Sequence, residues 1–333
     1  MTTADLQLRL DFYNLDIDFA GSIAAMSIRG HLWTIAPSLR HRLRPLPLPV
    51  PRPWETAVAD PLRGTVRLTG LLREVPGSDE VLILVHGLGG GSDSHYLSSG
   101  VAAAEAAGIS SLRVNLRGAD RLGEDFYHGG LTADLHAALA SPELRGYCRV
   151  YALGYSLGGH LALRLGSEEG DPRLAAVAGI CAPLDLALAQ KELDAPPLWL
   201  YRHYLLNGLK DIYAAVAARH PMALPAAAAR RIPTLREWDD RVVAPRHGFA
   251  GAADYYARES VAPRLPALRV PALLLNSEHD PMVPARAVRA ALTRPAPRLE
   301  VRWIPGGGHV AFPRAMGVDG RVVGWLREKG TTA

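Results

Sequence analysis

Cysteine is nearly absent: only Cys148 and Cys181 occur in 333 residues. That excludes a disulfide framework and a cysteine-rich zinc module. Both thiols read as buried small hydrophobes in a reducing compartment. Lysine is almost as scarce, at Lys191, Lys210 and Lys329 alone. None stands near the glycine run Gly89-Gly90-Gly91, so a P-loop phosphate cradle is excluded. No uninterrupted apolar run approaches the roughly 18 residues that a membrane span needs. Residues 1–20 carry Asp5, Asp11, Asp16 and Asp18 and no basic start before an apolar stretch, which does not read as a signal peptide. The expectation is a cytoplasmic protein with no integral membrane segment.

What is present is ordinary for a globular chain, with 48% hydrophobic and 21% charged residues. The length suggests one large domain or two smaller ones. The net charge of +4 comes from 37 basic against 33 acidic residues, and the basic ones are nearly all Arg. Their densest stretch, Arg40, Arg42, Arg44 and Arg52, is interleaved with Pro45, Pro47, Pro49, Pro51 and Pro53. It reads as an exposed proline-rich connector in preference to a phosphate-binding strip. Nothing else resembles a nucleic-acid module, so no nucleic-acid partner is expected.

Short apolar runs at 81–85, 112–115, 150–154, 174–181, 272–276 and 299–304 read as strands. Most are apolar on both sides of the pleat, as in strands covered on both faces. Helical stretches at 97–107, 131–139 and 158–165 alternate with them. The pattern predicts an α/β fold, a mostly parallel central sheet with helices on both faces. The alternation fails from about 185 to 268, where Tyr201, Leu205, Leu209, Ile212 and Val216 recur at helical spacing. The expected organisation is an N-terminal arm and proline-rich connector (1–60), a core (61–185 and 269–333) and a helical cap insertion (186–268).

The strongest local signal is Gly154-Tyr155-Ser156-Leu157-Gly158. The pentapeptide alone is weak, but it sits where a strand turns into a helix. There the glycines permit a tight bend that exposes the serine hydroxyl. A serine hydroxyl is a poor nucleophile without a base, and the base needs an orienting acid. In this architecture both follow later in the chain, each just after a strand. Ser277-Glu278-His279-Asp280 fills the first slot and Gly306-Gly307-Gly308-His309 the second. The candidate set is Ser156, Asp280 and His309. Glu278 and Asp185 are alternative acids, and His279 is read as a loop residue. The loop His86-Gly87-Leu88-Gly89 follows the strand 81–85, so the amides of Leu88 and Leu157 are the candidate oxyanion donors. His86 is read as structural. Tyr155, Trp199, Tyr201, Tyr204 and Leu205 are candidates for a substrate pocket, because residues 198–209 hold more apolar side chains than one helix face needs.

Taken together, these stretches resemble the α/β-hydrolase superfamily, specifically its YheT-like branch. The resemblance also rests on Gly30-His-Leu-Trp-Thr-Ile35, Asn115-Leu-Arg-Gly118, and Tyr127-His128-Gly129-Gly130 followed by Asp134. The remaining stretches are Trp238-Asp239-Asp240, Gly248-Phe249 and Asp254-Tyr255-Tyr256. It runs from about Gly30 to the C-terminus. The first 29 residues have no counterpart, and residues 57–71 lack the Asp-Gly turn usual between the first two strands. The resemblance implies the α/β-hydrolase fold and serine hydrolase activity on small-molecule or lipid esters, with Ser156, Asp280 and His309 in the triad roles. Tyr127 and His128 fit a loop buttress better than a catalytic role. No metal or cofactor is expected. Acyl transfer by the same triad and a non-catalytic binding protein are the alternatives.

Overall fold

The computed structural model describes residues 22–43 and 46–331. Of the expected arm, residues 1–21 lie outside the described residues. Among those described, one sheet holds strands β1 (Arg52–Asp60), β2 (Gly64–Arg73), β3 (Glu80–Val85), β4 (Ser110–Val114), β5 (Arg149–Tyr155), β6 (Leu174–Ile180), β7 (Ala272–Ser277) and β8 (Leu299–Ile304). Their spatial order is β1-β2-β4-β3-β5-β6-β7-β8. The pairs β1–β2 and β2–β4 are antiparallel, and the rest are parallel. The longer helices are α1 (Ser22–Leu43), α2 (Leu97–Ala106), α3 (Ala133–Ala140), α4 (Leu157–Leu165), α5 (Leu186–Leu193), α6 (Trp199–Ala217), α7 (Ala252–Glu259), α8 (Ala285–Ala291) and α9 (Val318–Thr331). No helix of the described residues is long and apolar enough to cross a membrane.

Alternation along the strands assigns each side chain to one of two cores. In β3, Leu82 and Leu84 pack with Leu97 and Val101 of α2 and with Val322 and Leu326 of α9. Val81, Ile83 and Val85 point the other way, into the core holding Leu135 of α3 and Leu161 of α4. Each of these fully enclosed aliphatic side chains contributes about 1.5–3 kcal/mol of burial. Helices on both faces therefore explain why the strands read as continuous apolar runs.

β1 falls within the stretch expected as arm and connector. It is an edge strand, paired from Arg52↔Leu72 to Asp60↔Gly64. The turn between β1 and β2 does not use Asp-Gly. Asp60 Oδ1 instead accepts the N–H groups of Leu62 and Arg63, both at 2.9 Å, and Gly64 closes the turn at φ 74°. Asp60 also pairs with the buried Arg117 at 2.6 Å, and Arg117 binds Asp125 at 3.0 Å and Asp134 at 2.7 Å. Arg246, between β6 and β7, joins Asp125 and Asp60. This buried network ties the inserted helices to the first hairpin. Removing one partner would leave charges enclosed without compensation.

The loops after β3, β5, β7 and β8 all leave the carboxyl edge of the parallel strands, where open α/β sheets hold their sites.

Candidate active site

Ser156 lies between β5 and α4 with φ 54°, a left-handed backbone that side-chain-bearing residues rarely hold. The close approach around it dictates the flanking glycines. A Cβ on Gly154 would sit 1.9 Å from Gly158 O, and one on Gly158 would sit 2.2 Å from Val85 O. No other residue fits either position without opening the turn.

Asp280 and His309 meet after β7 and β8. His309 Nδ1 lies 2.8 Å from Asp280 Oδ2. The carboxylate is fixed from its other oxygen, which accepts the N–H groups of Met282 at 2.8 Å and Val283 at 2.9 Å. Since a carboxylate can only accept, Nδ1 carries the ring hydrogen and Nε2 is left as the basic nitrogen. Both residues are buried. The Cys181 thiol shares this cluster, its sulfur and the ligand atoms of Asp280 and His309 lying within 4.8 Å of one another. Burial pushes the thiol well above its ordinary pKa. Cys148, by contrast, is exposed and is not the buried hydrophobe expected.

The alternatives are engaged elsewhere. Asp185 caps α5, its Oδ1 accepting the Leu188 N–H at 3.0 Å. Glu278 pairs with Arg289 at 2.7 Å.

The glycine loop after β3 is pinned amide by amide. Gly87 N–H donates to Tyr96 Oη at 2.9 Å and Gly89 N–H to Tyr127 Oη at 2.7 Å. Gly90 donates to Gly87 O, Gly91 to Ser94 Oγ and Ser92 to Asn115 Oδ1. Leu88 is the one residue of this run whose N–H enters no such bond. Leu157 opens α4, where first-turn amides have no intrahelical acceptor. His86 holds the base of the loop. Leu116 N–H donates to its Nε2 at 3.0 Å, so Nδ1–H donates to Gly87 O at 2.7 Å. Burial pushes its imidazole down to about 4.

Ser156 and His309 open onto one cleft, walled by Leu88, Leu157, Leu186, Leu193, Leu205, Leu209, Met282 and Val283 among others. Of the five expected pocket residues, only Leu205 is in that wall. Tyr155 alternates to the opposite face of β5, joins the α2 and α9 core and donates to Asp319 Oδ1 at 2.5 Å. Trp199 and Tyr204 are exposed. Tyr201 is buried against His31, its hydroxyl 2.7 Å from His31 Nδ1. Helix phase accounts for two of these: the cleft takes the Leu205 and Leu209 stripe of α6, and Trp199 and Tyr204 lie off it, while Tyr201, one turn earlier on that stripe, is taken up by His31.

Sequence reasoning missed several residues here. Trp238, Asp239, Tyr255 and Tyr256 line the cleft. All four belong to stretches that carried the family resemblance without an assigned role. Asp239 opens a π-helical turn, Asp239–Val243, a local widening often found at functional sites. Its Oδ2 accepts the Tyr256 hydroxyl at 2.5 Å, and burial pushes its carboxyl up to about 7. Thr34 of α1 accepts the His309 N–H at 2.9 Å and donates to Gly30 O at 2.8 Å. Gly30 abuts the loop before Asp280 so closely that a Cβ would lie 2.0 Å from His279 O.

A hydroxyl on a strained turn, an imidazole held by a carboxylate and unspent amides beside an apolar cleft are suited to acyl chemistry. Known proteins agree in kind. A family model described as "Alpha/beta hydrolase family" matches residues 82–318. "Putative esterase YheT" of Escherichia coli is 32% identical over 261 residues, 74% of this chain and 76% of that protein. "Medium-chain fatty acid ethyl ester synthase/esterase 2" of Saccharomyces cerevisiae is 26% identical across 70% of this chain, which spans only 58% of the yeast protein's length. Among solved structures, the Pyrococcus furiosus esterase Pf2001 superposes with a TM-score of 0.52 at 17% identity, covering 85% of this chain and 98% of that one. At that identity the likeness concerns the fold alone.

Proposed function

The chain belongs to the alpha/beta hydrolase family, in its YheT-like branch, and from that premise we propose that it is a serine hydrolase of carboxylic esters. Ser156 Oγ attacks the ester carbonyl while His309 Nε2 takes its proton. Asp280 stabilises the resulting imidazolium. The amides of Leu88 and Leu157 receive the charge that develops on the carbonyl oxygen. His309 returns the proton to the departing alcohol, leaving an acyl group on Ser156. Water, deprotonated by the same imidazole, then releases the acid.

The observation that carries this reading is the convergence on one cleft of a left-handed Ser156 and the Asp280–His309 pair. Residues 186–268 act as a cap that supplies much of the cleft's apolar wall. That lining supports acyl chains of short to medium length, and the yeast relative's name mentions a medium-chain ester. Each methylene buried there is worth about 0.8 kcal/mol, or roughly fourfold in kcat/KM, until the cleft is full.

The test is the series p-nitrophenyl acetate, butyrate and hexanoate, with Ser156→Ala as the blank. We expect kcat/KM to rise from acetate and then level or fall, and the blank to lose about 10⁶-fold in kcat. A series that is flat or declining from acetate would remove the acyl-cleft reading. More than about a tenth of wild-type activity in Ser156→Ala would remove the mechanism, given the cost of losing a serine nucleophile. A second reading, acyl transfer to an alcohol, draws on the same yeast relative, which is named as both synthase and esterase. Ethyl ester formed when ethanol is added would identify it.

A further inference from the structure

Helix α1 is packed with its faces exchanged. At helical spacing, residues 28, 32 and 35 share one stripe, and residues 30, 34 and 37 share the opposite one. A helix on a water-facing fold turns its apolar stripe inward. Here the inward side is small and polar: Gly30 abuts His279 O, and Thr34 holds the His309 amide. The apolar side faces out, with Ile28 61%, Leu32 60% and Ile35 48% exposed.

The first turns of α6 repeat the pattern. Trp199, Leu200 and Tyr204 are 60%, 49% and 68% exposed. Tyr201, between them, stacks on His31 with ring centroids 5.5 Å apart and hydrogen-bonds it at 2.7 Å. That contact sets the start of α6 against α1, so the two helices that carry exposed apolar residues are neighbours. Single exposed apolar residues need no explanation, but several on two neighbouring helices point to an interaction site.

Charge selects the partner. Residues 19–54 contain no Asp or Glu, while Arg29, Arg40, Arg42 and Arg44 fall within them. Tryptophan and tyrosine beside leucine, isoleucine and arginine is the composition of interfacial helices, whose aromatic and aliphatic groups enter the headgroup boundary while arginines meet anionic lipid.

We propose that the outer faces of α1 and the start of α6 form a docking surface for an anionic phospholipid membrane. Because the inner face of α1 holds the His309 loop, a docked protein has its cleft region next to the lipid. The proposal does not depend on the esterase reading, since vesicle binding is measured without hydrolysis.

The experiment sediments the full chain with vesicles of mixed phosphatidylcholine and phosphatidylglycerol, and with vesicles of phosphatidylcholine alone. At low salt we expect binding to the mixed vesicles with a blue shift of tryptophan emission. Binding should weaken on raising salt and be weaker on phosphatidylcholine alone. The double variant Leu32→Ser, Trp199→Ser should bind at least about tenfold more weakly. Its circular dichroism and its hydrolysis of a water-soluble p-nitrophenyl ester should match wild type. Equal vesicle binding by the variant would overturn the proposal, as would no binding by wild type. A wild-type dimer that the double variant converts to monomer would assign the surface to a second copy instead. Binding that emerges only after residues 1–21 are deleted would assign it to that segment, and either result counts against a membrane partner.

Discussion

Replacing Tyr127 with Phe removes one oxygen and tests how the proposed oxyanion loop is held. That oxygen accepts the Gly89 N–H at 2.7 Å, and Tyr127 is only 3% exposed. Phenylalanine keeps the ring contact with His86, whose centroid lies 6.0 Å away, but leaves the Gly89 N–H without its acceptor. A buried donor stripped of its partner costs about 1–3 kcal/mol, which lowers Tm by roughly 2–4 °C for each kcal/mol in a large domain. The catalytic effect has a separate origin. The Leu88 amide lies between two anchors, Gly87 on Tyr96 and Gly89 on Tyr127, so releasing one lets the donor drift from its aim. Full loss of one oxyanion donor costs about 10²–10³ in kcat. A displaced donor should cost about 10–100-fold, with KM changed by no more than about twofold because the ground-state ester uses the donor little. Steady-state kinetics on p-nitrophenyl butyrate, normalised to titrated active sites, measure this directly. A variant with lowered Tm and unchanged kcat would refute the link between Tyr127 and the oxyanion donor. A rise in KM alone would refute it equally.

Two further predictions follow from the same geometry. Asp280→Asn removes the charge that orients His309 and should lower kcat by about 10²–10⁴-fold. Asp185→Asn should cost at most about 1 kcal/mol of stability through the α5 cap and leave activity near wild type; the reverse ranking in steady-state assays would move the acid to Asp185. The second concerns acid. Folded His86 takes a proton only near pH 4, whereas in the unfolded chain it does so near pH 6.5. The unfolded state therefore binds the proton first as pH falls. Stability should drop from about pH 6.5 downward and level off below about pH 4, with roughly 3 kcal/mol from this side chain. Melting curves across that range, compared with those of His86→Gln, would show the slope flattened in the variant; equal slopes would remove His86 as a source.

The parts of the candidate site that are legible in the sequence are those set by local chain geometry. Ser156 announces itself because only glycine fits at 154 and 158. Asp280 follows the unbroken apolar run of residues 272–275, and His309 follows β8 and three consecutive glycines. The fold was readable for the same reason, since strands covered on both faces leave long apolar runs. What stayed hidden depends on distant packing. The spacing of Tyr201, Leu205 and Leu209 marks the inner stripe of α6, but what meets each of them is set by distant segments: Leu205 faces the cleft, whereas Tyr201 meets His31 of α1. Tyr155 went astray because strand alternation places it opposite to the cleft. Thr34 meets His309 across 275 residues, a contact no spacing rule reaches. β1 escaped because an edge strand buries little and its turn is built by an Asp60 side chain in place of Asp-Gly.

The proposed chemistry requires Ser156 to be the nucleophile, activated by His309 and Asp280. Intact mass and peptide mapping after treatment with a fluorophosphonate test it most directly. One adduct per chain is expected, mapped to Ser156, absent in Ser156→Ala and formed much more slowly in His309→Ala. An unmodified wild-type chain, or an adduct mapped to any other residue, would contradict it.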